Sequence, residues 1–282
     1  MNTPEKEEEL RGFYKRLEDP SVRSLVQEQL YAHRSCRHFD TSKEVTTAEI
    51  QNIVETAQRT SSYGNLQTYS IITVRNKENI NRLSAIHDNP AIATCAVLFV
   101  FCSDTHRARQ WLRMRNAPDS FDDFLGFLVG TVDCCIAAQS TMLAAESRGL
   151  ACCYLGTTLW KSRQIGEALG TPPGVVPITS IMMGWPAAAH FQMGPRARLS
   201  VHAIWHQEKY NTLTDEELSD SYLGMEKTGE DRYRANPKVD ALFKEKEIGN
   251  IAQYYSIHKY PKSLHLQVSE MLTSYLKDSN LL

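Results

Sequence analysis

The sequence predicts an α+β fold on three observations. Helical and strand patterns are interleaved along the 282 residues, no regular strand–helix alternation develops, and no G-x-G-x-x-G follows the first strand, which argues against a dinucleotide-binding Rossmann domain. At 42% hydrophobic and 23% charged residues, with neither an internal repeat nor a Gly/Ser linker, the chain reads as one globular domain over 1–282.

The elements follow in order. Val22, Leu25, Val26 and Leu30 stand at helical spacing and define a first helix that runs into the cationic stretch His33–Phe39, HRSCRHF. Thr46 and Glu49 have capping-box spacing, and Ile50, Ile53, Val54 and Ala57 give the next helix an apolar face. The polar run TSSYGNLQ (Thr60–Gln67) is a loop before the strand YSIITV, Tyr69–Val74. A short helix, ENINRLSAI, precedes the buried strand AVLFVFC. From Phe124 to Gly149 the chain is apolar or small on nearly every side, which predicts a helix buried in a core or a subunit contact, with Gly149 as its C-cap. The strand ACCYL, a turn at Gly156, a helix from Ser162 to about Leu169, the breaker TPPG and the strand ITSIMMG complete the pattern. Residues 211–250 are charge-rich and read as a surface excursion; 251–282 form a C-terminal extension ending in an amphipathic helix, LHLQVSEMLTSYL.

Several function classes are excluded by charge and spacing. A formal net charge of -2 creates no field for nucleic acid or an anionic membrane, and the longest apolar stretch is read as AIATCAVLFVFC, Ala91–Cys102, short of the roughly 20 residues of a membrane span. The acidic start is unlike a leader, so a cytoplasmic protein is expected. Seven cysteines with no C-x-x-C pair, five of them (Cys95, Cys134, Cys135, Cys152, Cys153) in apolar segments, read as buried free thiols rather than a disulfide framework or zinc site.

Three clusters carry candidate chemistry. In HRSCRHF, Arg34 and Arg37 offer forked donors and Ser35 a hydroxyl, a set suited to a phosphorylated small molecule; a solvated loop with surface ion pairs is the alternative. A phosphatase loop starting at Cys36 would need arginine where Ser42 stands. The Thr60–Gln67 run reads by itself as a turn. In GPRARLS, Arg196 and Arg198 alternate, so in an extended segment both point one way, either as the second half of an anion clamp or as a basic surface strand.

Taken together, HRSCRHF, SSYGNLQ, the long apolar helix, RGLACCYLGTT, LGTPPGVVPITSIMMGWPA and PRARL, spread from Tyr31 to Tyr210, resemble the FMN-dependent nitroreductase and flavin reductase superfamily. The NADPH-preferring, oxygen-insensitive branch looks closest. The resemblance implies a mixed, mainly antiparallel sheet flanked by helices, in an intertwined homodimer with FMN at the interface and the long apolar helix along the contact. It implies that His33, Arg34 and Ser35 hold phosphate and ribityl oxygens, and that Arg37 faces the N1/O2 edge of the flavin, where a guanidinium favours the reduced anion. Ser62 and Asn65 would bond ribityl or ring atoms, and Asn89 would lie against the flavin. Tyr154, Leu155, Gly156 and Thr157 would pass the ring edge with the Gly156 N–H near N5, while Arg196 and Arg198 close on the phosphate. No catalytic acid, base or nucleophile and no metal is implied.

The activity expected is transfer of two electrons from NADPH or NADH, by ping-pong exchange, to nitroaromatics, quinones or similar electron-poor small molecules. A flavin reductase supplying reduced FMN, or a non-catalytic flavin store or sensor, are the alternatives. The chain departs from the family at Ser61, where many relatives have proline, at Tyr63 and Gly64, and beyond Tyr210, where His258, Lys259 and Lys262 stand in place of an arginine-rich segment.

Overall fold

The computed structural model describes residues 24–192, 194 and 196–282; Val22, expected on the first helix, lies outside them. The chain divides into two compact units, one reaching to residue 193 and completed by Tyr275–Leu282, the other Gly194–Ser274.

In the first unit, α1 (Leu25–Ala32) and α2 (Thr47–Ala57) begin at Ser24 and Thr46, each in a complete capping box. Next come β1 (Tyr69–Val74), α3 (Lys77–His87), β2 (Val97–Asp104), α4 (His106–Met114), α5 (Phe124–Glu146), β3 (Ala151–Leu155), α6 (Thr157–Trp160), α7 (Ser162–Leu169) and β4 (Val175–Gly184). The sheet order is β1-β2-β4-β3, and every pairing among the described strands is antiparallel. The helix α4 is one that the sequence patterns did not predict.

Every residue of β2 is buried because both sheet faces are covered. Leu98, Val100 and Cys102 join Ile80 and Leu83 of α3 and Ile165 of α7 in one cluster. On the opposite face α5 lies against the sheet, its Phe127 carbonyl accepting from Ser103 Oγ at 3.1 Å. Gly130 makes that approach possible, because a Cβ there would collide with Ser103 Oγ and the Thr68 carbonyl. The helix ends at Glu146, and Gly149 takes a φ of 82° while Leu150 N closes the terminus on the Ala145 carbonyl.

Two expectations of burial need correction. Leu25, Val26 and Leu30 are exposed, so the apolar face of α1 is not covered by the described residues. Cys135 is also exposed, because it falls on the uncovered face of α5 with Leu128, Val132 and Ile136; the other six cysteines are buried, and all seven are free thiols. Among the described residues α5 is the one helix long and apolar enough to cross a membrane, with half of the qualifying stretch buried in the fold.

In the second unit, the charged excursion is helical. Thr214 and Glu217 form a capping box that starts α8 (Asp215–Arg234), with acids in its first turn and Arg232 and Arg234 in its last, both favourable to the helix dipole. Asn236 and Pro237 start α9 (Pro237–Glu245), followed by α10 (Ile251–Tyr254), a π turn at Tyr255–Lys259 and α11 (Lys262–Asp278), whose residues from Tyr275 on belong to the first unit. Phe243, Ile248, Ile251 and Tyr254 form its small core. Lys259 Nζ lies over the rings of Tyr233, Tyr255 and Tyr260 at 4.8, 5.2 and 5.1 Å and donates to the Tyr233 hydroxyl.

Candidate functional site

The cationic stretch is fixed as an extended strap. It leaves α1 at His33, and Cys36 N donates to the Cys152 carbonyl at 2.8 Å along the edge of β3 that no strand covers. Beyond it, Ala187 N donates to the His38 carbonyl, Asp40 N to the Trp185 carbonyl, and Phe39 bridges Pro186. Cys36 and Phe39 point into the core, which leaves Arg37 and His38 exposed and His33, Arg34 and Ser35 half-buried. The strap therefore displays its cations on a backbone anchored to the sheet.

Around it stand groups of long sequence separation. His33 Nδ1 lies 2.7 Å from Glu146 Oε1, and both side chains are largely out of water, at 19% and 11% exposure. Arg34 Nη1 donates to the Tyr31 and His33 carbonyls at 3.0 and 2.8 Å. His190, on the 3₁₀ turn Ala188–Gln192, is held below the usual histidine range by burial; Glu146 opposes that shift, and the positive charges of Arg34, His33 and His38 add to it. Its Nδ1 is buried and finds no hydrogen-bond partner among the described residues, a situation that costs about 1–3 kcal/mol and suits a site completed by a ligand.

The end of β3 continues the site. Tyr154 is half-buried, its hydroxyl 3.4 Å from Gln139 Oε1, and burial raises its pKa well above the ordinary tyrosine value. Leu155 is buried, and its carbonyl accepts from Thr158 Oγ1, which also meets Ser180 Oγ at 2.9 Å. Thr157 Oγ1 is 2.7 Å from Nδ1 of the buried His87, whose pKa desolvation and then Lys161 push down to about 4. Between these two tethered threonines and the strand, Gly156 is exposed and open: a Cβ placed there would meet no heavy atom within 4 Å. Asn89 caps the 3₁₀ turn Pro90–Thr94 by accepting from Ala91 N at 3.2 Å, two residues after the histidine that holds Thr157.

Ser62 and Asn65 sit elsewhere. Asn65 adopts a φ of 58°, Ser62 Oγ accepts from Gln67 N, and the whole loop is pinned by Asp133, which accepts from Tyr63 N, Thr68 N and Thr68 Oγ1 at 2.9, 3.0 and 2.7 Å. Asp133 and Glu146 are thirteen residues apart on α5, about 20 Å of helix axis. One chain thus does not gather the Ser62 loop beside His33. Arg196 and Arg198 belong to the second unit, where exposure alternates along 196–200 as in an extended segment.

The chain matches the Nitroreductase family over residues 30–185, more than half its length. It belongs to the nitroreductase family. An FMN reductase (NADPH) of Bacillus subtilis (strain 168) is 34% identical over 210 residues, 73% of this chain and 82% of the relative. An oxygen-insensitive NADPH nitroreductase of Salmonella typhimurium is 34% identical over 206 residues, 70% and 82% of the two chains. The structure of the NfrA1 nitroreductase from B. subtilis superposes with a TM-score of 0.76 at 29% identity, over 91% of this chain and 98% of that one. The nitroreductase match thus includes the strap, α5, the end of β3 and β4.

The sequence patterns had not singled out Glu146, Asp133, His87 or His190 as site residues. A cue existed for two of them: Asp133 and Glu146 are the only acids in a 23-residue apolar helix, and a buried acid needs a partner.

Proposed function

We propose that this nitroreductase is an FMN-containing NAD(P)H oxidoreductase that reduces electron-poor small molecules such as nitroaromatics and quinones. The observation that carries the reading is the pairing of a sheet-anchored cationic strap with the open backbone at Gly156. An anionic end and a flat ring edge need those two environments at opposite ends of one ligand. The orphaned His190 Nδ1 and the half-buried His33, Arg34 and Ser35 fit a phosphate and its ribityl neighbours. When bound, FMN supplies the redox chemistry, accepting hydride from NAD(P)H and returning two electrons to an acceptor in ping-pong order.

The protein's own part is binding and positioning. Arg37 is assigned to the pyrimidine edge of the ring, where its fixed positive charge favours the reduced anion, and Tyr154, Leu155, Gly156 and Thr157 to the opposite edge. Arg196 and Arg198 are assigned to the phosphate, and Asn89 to the ring side of the His87–Thr157 contact.

A homodimer belongs to the same reading. The apolar groove of about 330 Å³ lined by Ser61, Ser62, Tyr63, Leu125, Leu128 and Val132 lies on the uncovered face of α5, and a second copy packed there would cover it. The same packing would let one copy's Ser62 and Asn65 reach the other's strap. Free thiols throughout suit a reducing cytoplasm. Lys259, one of the cations that stand in place of the branch's arginine-rich segment, lies over three tyrosine rings, and the choice between NADPH and NADH is assigned by experiment.

The test is an absorbance spectrum of the purified protein, titrated without oxygen with NADPH and then NADH. A flavin band that bleaches supports the reading and identifies the donor. A band that neither nucleotide bleaches makes the protein a flavin store or sensor, and no band after incubation with FMN removes the cofactor. Turnover with free FMN, set against turnover with a nitroaromatic, separates out a flavin reductase, the activity for which the B. subtilis relative is named.

A further inference from the structure

We propose that Glu146 is a positioning residue that orients His33 so that, in the complex with the flavin nucleotide, the ring donates through Nδ1–H to the Glu146 carboxylate and through Nε2–H to the phosphate. The inference rests on the FMN reading above and deepens it.

Nδ1 of His33 faces Glu146 Oε1 at 2.7 Å, so that nitrogen carries hydrogen toward the carboxylate. A neutral imidazole with its single proton on Nδ1 presents a lone pair at Nε2, which repels an anion. Only the doubly protonated ring donates to a carboxylate on one side and a phosphate on the other. In the complex, Glu146 and the phosphate are the two anions that offset the cost of charging a ring largely out of water.

The placement of Glu146 points the same way. It is the last residue of α5, where the negative end of the helix dipole disfavours a carboxylate, so it is badly placed to stabilise its own helix. The charged and titratable groups set about the pair include Arg34 and His38 from the strap, His190 from the 3₁₀ turn, the Cys36 and Cys152 thiols, and the Tyr154 hydroxyl, which burial keeps protonated. Burial raises both thiols, which keeps them neutral, and Arg34, His38 and His190 are cationic or neutral. Glu146 is the carboxylate among them.

The experiment measures binding rather than turnover. The apoprotein is titrated against FMN and against riboflavin, which lacks the phosphate, following quenching of flavin fluorescence from pH 6.5 to 8.5. Wild type, Glu146→Gln, His33→Gln and the double variant are compared. The phosphate's own second ionisation, near pH ~6, is common to all four and cancels in the comparison.

We expect Glu146→Gln to weaken FMN roughly tenfold at pH 6.5, the scale of a lost charge-assisted hydrogen bond, and to leave riboflavin within about twofold. Wild-type affinity for FMN should fall as pH rises, because the bound form holds the extra proton, and both single variants should flatten that slope. Adding Glu146→Gln to His33→Gln should change nothing further. Equal losses for FMN and riboflavin, or superimposable FMN profiles for wild type and Glu146→Gln, would overturn the inference alone. Failure of the wild type to quench either flavin would overturn the cofactor reading and this inference together.

Discussion

The two acids of α5 occupy the same helix and differ in what surrounds them. Asp133 is 1% exposed and takes three hydrogen bonds from the Tyr63–Thr68 segment, two of them from backbone N–H groups and two of them, from Thr68, fully buried. Glu146 instead meets an ionisable ring, that of His33, at the start of the cationic strap. A carboxylate saturated by backbone donors holds a loop in place, whereas one paired with a titratable side chain can set that side chain's charge. The first kind shows in stability and the second in binding.

Asp133→Ala tests the first half and should have the largest effect on stability. It strands the Thr68 N–H and hydroxyl in the interior and removes the anchor of the Tyr63 N–H, for a loss of about 3–5 kcal/mol in urea unfolding. Glu146→Gln should cost less than about 1 kcal/mol in the same measurement, since the amide still accepts from His33. Similar losses for the two variants would erase the distinction.

The next effect is smaller and depends on pH. His87 is buried and its pKa is held near 4 instead of 6.5, so the unfolded chain binds its proton first as the solution is acidified. Stability is full above pH 6.5 and falls as pH drops toward 4, by about 3 kcal/mol from this residue. His87→Gln should flatten that limb of the unfolding free energy measured against pH. An unchanged acid limb would mean that His87 titrates normally and is not sealed behind Thr157.

These residues also show how far the sequence carries. Tyr69–Val74 and Ala151–Leu155 were legible as strands to the residue, because their apolar runs are bounded by turn signals. The capping box at Thr46 marked its helix for the same local reason. The helix His106–Met114 was not legible, since Thr105 makes no side-chain cap and four of its nine residues are arginine or histidine. The tail helix at Asp215 had its cue in Thr214 and Glu217, outweighed by a charge density that suggests a solvated excursion. At the site, the strap could be read because its cations are contiguous. Glu146 and His33 are 113 residues apart, and only the packing of α5 on the sheet makes them neighbours.

A comparison inside the proposed site separates binding from charge. Arg37→Ala should lower the flavin reduction potential more than it weakens FMN, and Arg198→Ala should do the reverse, as redox titration and fluorescence quenching would show. Equal effects on both properties would count against the division of roles.

The smallest effect on stability is expected at Gly156, where it is also most informative. The residue has φ −63° and ψ −23°, values open to any amino acid, and nothing within 4 Å of a new Cβ. Gly156→Ala should therefore leave unfolding of the apoprotein within about 0.5 kcal/mol, or stabilise it slightly by restricting the unfolded chain. If the empty space is where the ring edge rests, the added methyl group must cost flavin affinity at the same time. Loss of binding with unchanged stability would identify the gap as a place kept clear for a ligand. Unchanged binding would make Gly156 an ordinary surface glycine and move the ring edge away from the end of β3.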